Sequence, residues 1–129
     1  MMTPTWLNSI VREFGTSMGI ENLSLNDNGV VALRFENKVV FNLEYAMDYL
    51  VLSMSVPAPQ SIEAAKLLLS SSNPMRNGRF LIRTGFVDNP VRGMFMVRLD
   101  SADVTLGNLD AAMGELWRAT ENFLRRLDV

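Results

Sequence analysis

Two pairs of carboxylates are the residues of this 129-residue chain whose type and spacing come nearest to catalysis: Glu44 and Asp48 on either side of Tyr45, and Asp100 with Asp103. Each pair can be drawn as a general acid with its base, or as oxygen ligands for a hard cation. Nothing around them completes such a site. The chain has no His and no Cys, which removes imidazole bases, thiolate nucleophiles, disulfides and the usual zinc ligands together. An isolated carboxylate pair more often ends a turn or caps a helix, and Asp103 is expected to cap the last helix. Gly85 and Gly93 bracket a hairpin instead of opening a helix, and no phosphate-binding glycine motif occurs. The expectation is a protein that is not an enzyme and uses no cofactor or metal.

Binding chemistry is less sharply excluded. The net charge is -2, so general attraction to nucleic acid or to an anionic membrane is not expected. Arg76, Arg79, Arg83, Arg92 and Arg98 nevertheless share one stretch with Asp88 and Asp100. They are either solvated strand and loop positions or a site for an acidic partner. Phe80, Phe86 and Phe95 beside these arginines faintly suggest an RNA-binding sheet, but their alternation assigns them to the core. Of the nine methionines, Met18, Met47, Met54, Met94, Met96 and Met113 lie on or beside expected strands and helices. They fill gaps in the core or form an adaptable apolar surface.

The elements that position these residues follow from periodicity. Trp6, Leu7, Ile10, Val11, Phe14 and Met18 recur every three or four residues, which predicts a helix over Pro4 to Met18, capped by Thr3 or Thr5 and stopped at Gly19. The stripe is wider than a one-sided contact requires. Leu23 to Leu25, Val30 to Phe35, Val39 to Leu43 and Tyr49 to Val56 read as an antiparallel meander, with Asn28-Gly29 and Asn37-Lys38 at tight turns. Parity separates the faces, Val31, Leu33 and Phe35 from Val30, Ala32 and Arg34, and Leu50, Leu52, Met54 and Val56 from the residues between them.

Pro57-Ala58-Pro59 ends the last of these strands, and Ser61 can cap a short helix to Ser70. A loop, SSSNPMRNG, leads to a hairpin of Phe80 to Val87 and Val91 to Leu99 over Asp88-Asn89-Pro90. A long amphipathic helix from Thr105 carries Leu109, Met113, Leu116, Thr120, Phe123 and Leu127 on its apolar side. The fold class is therefore α+β: helix, antiparallel strand meander, short helix, β-hairpin, C-terminal amphipathic helix.

With 48% hydrophobic residues, residues 1–129 suit one domain that buries roughly two-thirds of its unfolded surface. The first residues lack the basic and apolar regions of a signal peptide, and no apolar run approaches the about 20 residues that span a bilayer. A cytoplasmic protein is expected.

In this order of elements, and most closely in LNSIVREFGTSMGIENLSLNDNGVVALRFENKVVFNLE, where a helix ending in Gly-Ile leads to Leu-Ser-Leu-Asn-Asp-Asn-Gly and a strand pair, the chain resembles the class I type III secretion chaperones of the Tir-chaperone family. The resemblance implies a nonenzymatic cytoplasmic homodimer that holds the N-terminal segment of a secreted effector in extended form and delivers it to the export apparatus, with the secretion ATPase as a further partner and neither nucleic acid nor membrane among its ligands. It implies a dimer interface on the short helix and the following strand, at Ile62, Ala65, Leu68, Leu69 and Phe80. It implies client grooves on the first helix and the sheet edge, for which Leu7, Val11, Phe14, Leu33 and Met94 are the candidates. The alternative is a same-fold interaction or ligand-sensing domain unrelated to secretion, like the YbjN group.

Overall fold

A computed structural model describes residues 3–36, 38–71, 80–88 and 90–127. The chain opens with α1 (Thr5–Ser17), whose first turn is entered from Pro4. No side chain caps it. Thr3, expected as a cap, instead donates its hydroxyl to the Asn26 carbonyl at 3.4 Å. The helix stops as expected at Gly19, whose φ of 82° lets the Gly19 amide reach Thr16 O while Ile20 N–H reaches Gly15 O. That pair of bonds satisfies the last carbonyls of the helix.

The returning chain crosses α1 at Gly15, where a Cβ would lie 2.6 Å from that of Leu23. Leu23 to Leu25 is not a strand, which corrects the expectation. Its apolar side chains are buried against the helix, and the Leu25 amide donates to Asn8 Oδ1 at 3.1 Å instead of to a neighbouring strand. The turn that follows is built on Asn26, whose side-chain oxygen accepts from the amides of Asn28 and Val30. Gly29, at φ 78°, takes the left-handed position, and a Cβ there would meet Tyr45 O at 2.7 Å.

The five-stranded antiparallel sheet contains β1 (Val30–Arg34), β2 (Val40–Ala46), β3 (Tyr49–Pro57), β4 (Arg83–Val87) and β5 (Arg92–Asp100) in the order β1-β2-β3-β5-β4. Placing β5 beside β3 leaves β1 and β4 at the two edges. Lys38 has the positive φ expected of the β1–β2 turn, while Asn37 and Asn89 lie outside the described residues. The β2–β3 turn was not anticipated: Met47 and Asp48 both have positive φ without a glycine. It is held from outside, because the amide and hydroxyl of Ser101 both donate to the Asp48 carbonyl, at 3.0 and 2.7 Å. β4 begins at Arg83, so Phe80 to Ile82 approach the sheet without joining it.

Register turns the parity of each strand into two faces. One row runs Leu33, Phe41, Met54, Phe95, Thr84 and the next Val31, Leu43, Leu52, Val97. The long helix α3 (Leu106–Leu127) lies over these rows and buries Leu109, Ala112, Leu116, Thr120 and Phe123. Phe123 meets Phe95 edge to face at 5.5 Å, and Phe14 of α1 meets Phe41 at 6.1 Å. Thr105, not Asp103, caps α3: its hydroxyl accepts from the Asn108 amide at 3.1 Å, while Asp103 sits in a single 3-10 turn (Ser101–Asp103). The short helix α2 (Ile62–Ser71) has its expected cap, the Ser61 hydroxyl accepting from the Ala64 amide at 3.1 Å. It packs on the same side, with Leu68 and Phe123 both beside Gly93. The opposite face carries the rows Arg34, Val40, Ser55, Met94, Gly85 and Ala32, Asn42, Ser53, Met96, Arg83.

Candidate partner-binding surfaces

The carboxylates do not converge. Glu44 and Tyr45 are neighbours on β2 and point to opposite faces, Glu44 to solvent and Tyr45 into the core, where its hydroxyl meets Ser101 Oγ at 3.2 Å. Asp48 contributes its backbone carbonyl to the turn. Asp100 and Asp103 are exposed, and no group of three metal-ligating side chains forms among the described residues.

Of the residues expected to bind a client, Leu7, Val11 and Phe14 are fully buried. They form the line of α1 that faces the sheet, so they are core, and the expectation that they line a groove is corrected. The outer flank of the same apolar stripe is Trp6, 42% exposed and edge-on to Tyr45 at 6.4 Å, with half-buried Ile10 beside it. Leu33 and Met94 are half-buried but share no surface: Leu33 is on the helix side of edge strand β1, and Met94 on the opposite face of β5. Sequence parity assigns faces within one strand, but the β3–β5 pairing decides which residues of distant strands share one.

The dimer candidates divide in the same way. Ile62 and Leu69 are 77% and 69% exposed and Ala65 is half-buried, whereas Leu68 is 3% exposed and packs into the core. Adjacent helical residues lie about 100° apart, so Leu68 and Leu69 cannot serve one surface. Phe80 is half-buried, with its amide 3.4 Å from Glu115 Oε1. Leu81 beside it is 50% exposed and was not singled out, because the expected strand Phe80 to Val87 begins only at Arg83 and its alternation does not govern Leu81.

At the other edge, β1 is paired with β2 on one side only and turns its outer side away from the sheet. Val30 turns its backbone outward, where its N–H and C=O meet Asn26. By the alternation of an antiparallel ladder, Ala32 and Arg34 turn theirs the same way, and among the described residues no backbone bond covers them. Val31, Leu33 and Phe35 line the helix side and are only half-buried, since no strand lies beyond them.

Arg76 and Arg79 lie outside the described residues. Arg83, Arg92 and Arg98 all project from the face of the sheet opposite the helices, as does Arg34. Arg98 lies over the Tyr49 ring at 4.4 Å. Arg92 is fixed by Nε donating to Ser55 Oγ at 3.0 Å and Nη2 to the carbonyls of Ser55 and Lys38 at 2.8 and 2.6 Å. Burial, and then the charge of Arg34, hold its guanidinium below its ordinary pKa.

The open edge of β1 and the outward apolar stripe of α2 are both surfaces that suit contact with another polypeptide. No helix among the described residues is long and apolar enough to cross a membrane. Comparison with known proteins places it further. The model of the type III secretory system chaperone SycN family matches residues 6–124, and the chain belongs to that family. This identifies it with secretion chaperones and not with the sensing alternative. No curated protein sequence matches the chain. Its fold is similar to the ExsC–ExsE complex, at 23% identity over 98% of this chain and 97% of the other with a TM-score of 0.82. It is also similar to the HopA1–SchA chaperone–effector complex, at 18% identity over 89% and 90% with a TM-score of 0.71. A third likeness is to the Yersinia pestis type III secretion chaperone SycH in complex with a fragment of YscM2, at 19% identity over 92% and 98% with a TM-score of 0.66.

Proposed function

We propose that the protein holds the N-terminal segment of a secreted effector in extended form and passes it to the type III export apparatus, the secretion ATPase being the acceptor. The outer edge of β1 carries this reading. The backbone groups of Ala32 and Arg34 face outward there, with half-buried Val31, Leu33 and Phe35 alternating between and beside them. An extended segment added to that edge gains backbone hydrogen bonds, while its alternate side chains reach the apolar flank. Solved complexes of similar fold, a chaperone with an effector in one and SycH with a YscM2 fragment in another, support the reading of this fold as one that holds a polypeptide partner. The work is done by binding and not by catalysis, and it belongs in the cytoplasm, where effectors are made. A second copy docks on the outward stripe of α2, Ile62, Ala65 and Leu69, together with Leu81 and the edge strand β4. One long client then engages two edges of the homodimer at once, with a gain in avidity.

Ala32→Pro tests the edge, because it removes one outward N–H and leaves the β1–β2 ladder intact. Loss of a backbone bond worth about 1 kcal/mol, with the clash of the ring against an added strand, should weaken an effector segment roughly tenfold. The melting temperature should move by no more than a few degrees, about the effect of a surface change. Unchanged affinity in isothermal titration with a folded variant would refute the assignment.

A further inference from the structure

The face of the sheet turned away from the helices is unlike the rest of the molecule. The chain is acidic overall, with a net charge of -2, yet this face carries Arg34, Arg83, Arg92 and Arg98 against Glu44 and Asp100. Its centre is low, because Ser53 and Ser55 lie buried between Val40, Asn42, Met94 and Met96. At one corner the Arg92 side chain crosses Ser55 to the Lys38 carbonyl in the turn that follows Arg34. This sets the two arginines at the same end of the face, where the charge of Arg34 acts on Arg92. Arg92 is already oriented: Nε and Nη2 are bonded to Ser55 and Lys38, and among the described residues Nη1 carries no bond of its own. Arg34 is exposed, and no carboxylate pairs with either guanidinium among the described residues, although Glu36 and Asp88 lie in the two flanking turns. Two like charges held together, one of them half-buried and braced, are relieved by an anion placed between them.

We propose that the helix-free face is a second binding surface, for a stretch of client polypeptide in which acidic residues alternate with apolar ones, a carboxylate being clasped between Arg34 and Arg92. The clasp suits a carboxylate because a planar guanidinium offers paired donors that match its two oxygens. The low floor beside it, Val40, Ser55 and Met94, accepts the apolar neighbours, and the flexible thioethers of Met94 and Met96 adapt to more than one side chain. Arg98, fixed over Tyr49, and Arg83 extend the positive potential along the same face. The proposal rests on the reading of the protein as a binder of extended segments, and it adds the chemistry of the segment.

The test uses the full chain and two synthetic peptides, one alternating glutamate with leucine and one alternating glutamine with leucine, followed by amide NMR. The acidic peptide should shift the amides of Ser53, Ser55 and Met96 and bind at least about tenfold more tightly than the neutral one. Arg34→Glu should abolish that preference, Arg34→Lys should keep part of it, and about 1 M salt should erase it. A melting curve checks that the exposed Arg34 variants remain folded. Equal binding of both peptides, unchanged binding to Arg34→Glu, or the same shifts from inorganic phosphate alone would each overturn the proposal. So would loss of self-association in Arg34→Glu, which would assign the face to a second copy. The Ala32→Pro variant separates the two readings. Loss of an effector segment there but not in Arg34→Glu leaves the edge assignment standing and removes this one.

Discussion

Helices α1 and α2 show similar apolar spacing and meet opposite fates. In α1 the line Leu7, Val11, Phe14 disappears entirely beneath the surface, leaving only Trp6 and Ile10 at its margin. In α2 the core takes Ala64 and Leu68, while Ile62 and Leu69 remain in solvent. The cause lies in what each helix rests on. α1 is bounded by α3 and by the returning chain at Gly15 and Leu23. α2 sits at the end of the sheet, packed against α3 and edge strand β4, and among the described residues nothing covers its outer side. An apolar stripe therefore becomes core or stays exposed according to what lies over it.

The sharpest break of this contrast is a charge in each place. Phe14→Asp puts a carboxylate in the fully buried contact with Phe41 and should unfold the chain. The penalty is several kcal/mol, comparable to the whole stability of a domain of this size. Val11→Asp should behave alike. Circular dichroism that showed a native melt with selective loss of client binding would restore α1 as a groove.

One residue step in α2 should give a smaller and more divided effect. Leu68→Asp should unfold the protein, whereas Leu69→Asp should leave a folded chain that no longer self-associates, since only Leu69 reaches solvent. Sedimentation and thermal melting run on both variants distinguish these outcomes. A Leu69→Asp protein that remains dimeric would remove the stripe of α2 from the interface.

The smallest expected change comes from Ser61→Ala. The lost cap of α2, a single bond from the Ala64 amide, should cost about 1 kcal/mol. A domain of this length should then melt a few degrees lower, about 3–6 °C. A larger drop would mean that α2 is tied to the core more firmly than its exposed flank suggests.

Much of the architecture was legible from local pattern. The stripes of α1 and α3, the stop at Gly19, the cap at Ser61 and the parity of β1 and β3 all depend on spacing within a few residues, and the structure has them where spacing puts them. The failures share a different origin. Leu23 to Leu25 has the alternation of a strand, but α1 satisfies it through Asn8 before any strand does. The Met47-Asp48 turn does without a glycine because Ser101, more than fifty positions away, supplies its hydrogen bonds. Thr105 displaces Asp103 as the cap because the chain first makes a 3-10 turn.

By itself, then, the sequence determined the kinds of element, their order, the absence of imidazole and thiol chemistry, and the family to which the chain belongs. Those properties depend on composition and on contacts close along the chain. Tertiary structure alone decided that β5 inserts between β3 and β4, which leaves β1 and β4 open. It also decided that Leu7, Val11, Phe14 and Leu68 are core while Trp6, Ile62 and Leu69 are surface, and it gathered Arg34 and Arg92 at one corner of a face. Burial of a side chain is a property of what covers it, and the covering elements here come from distant parts of the chain.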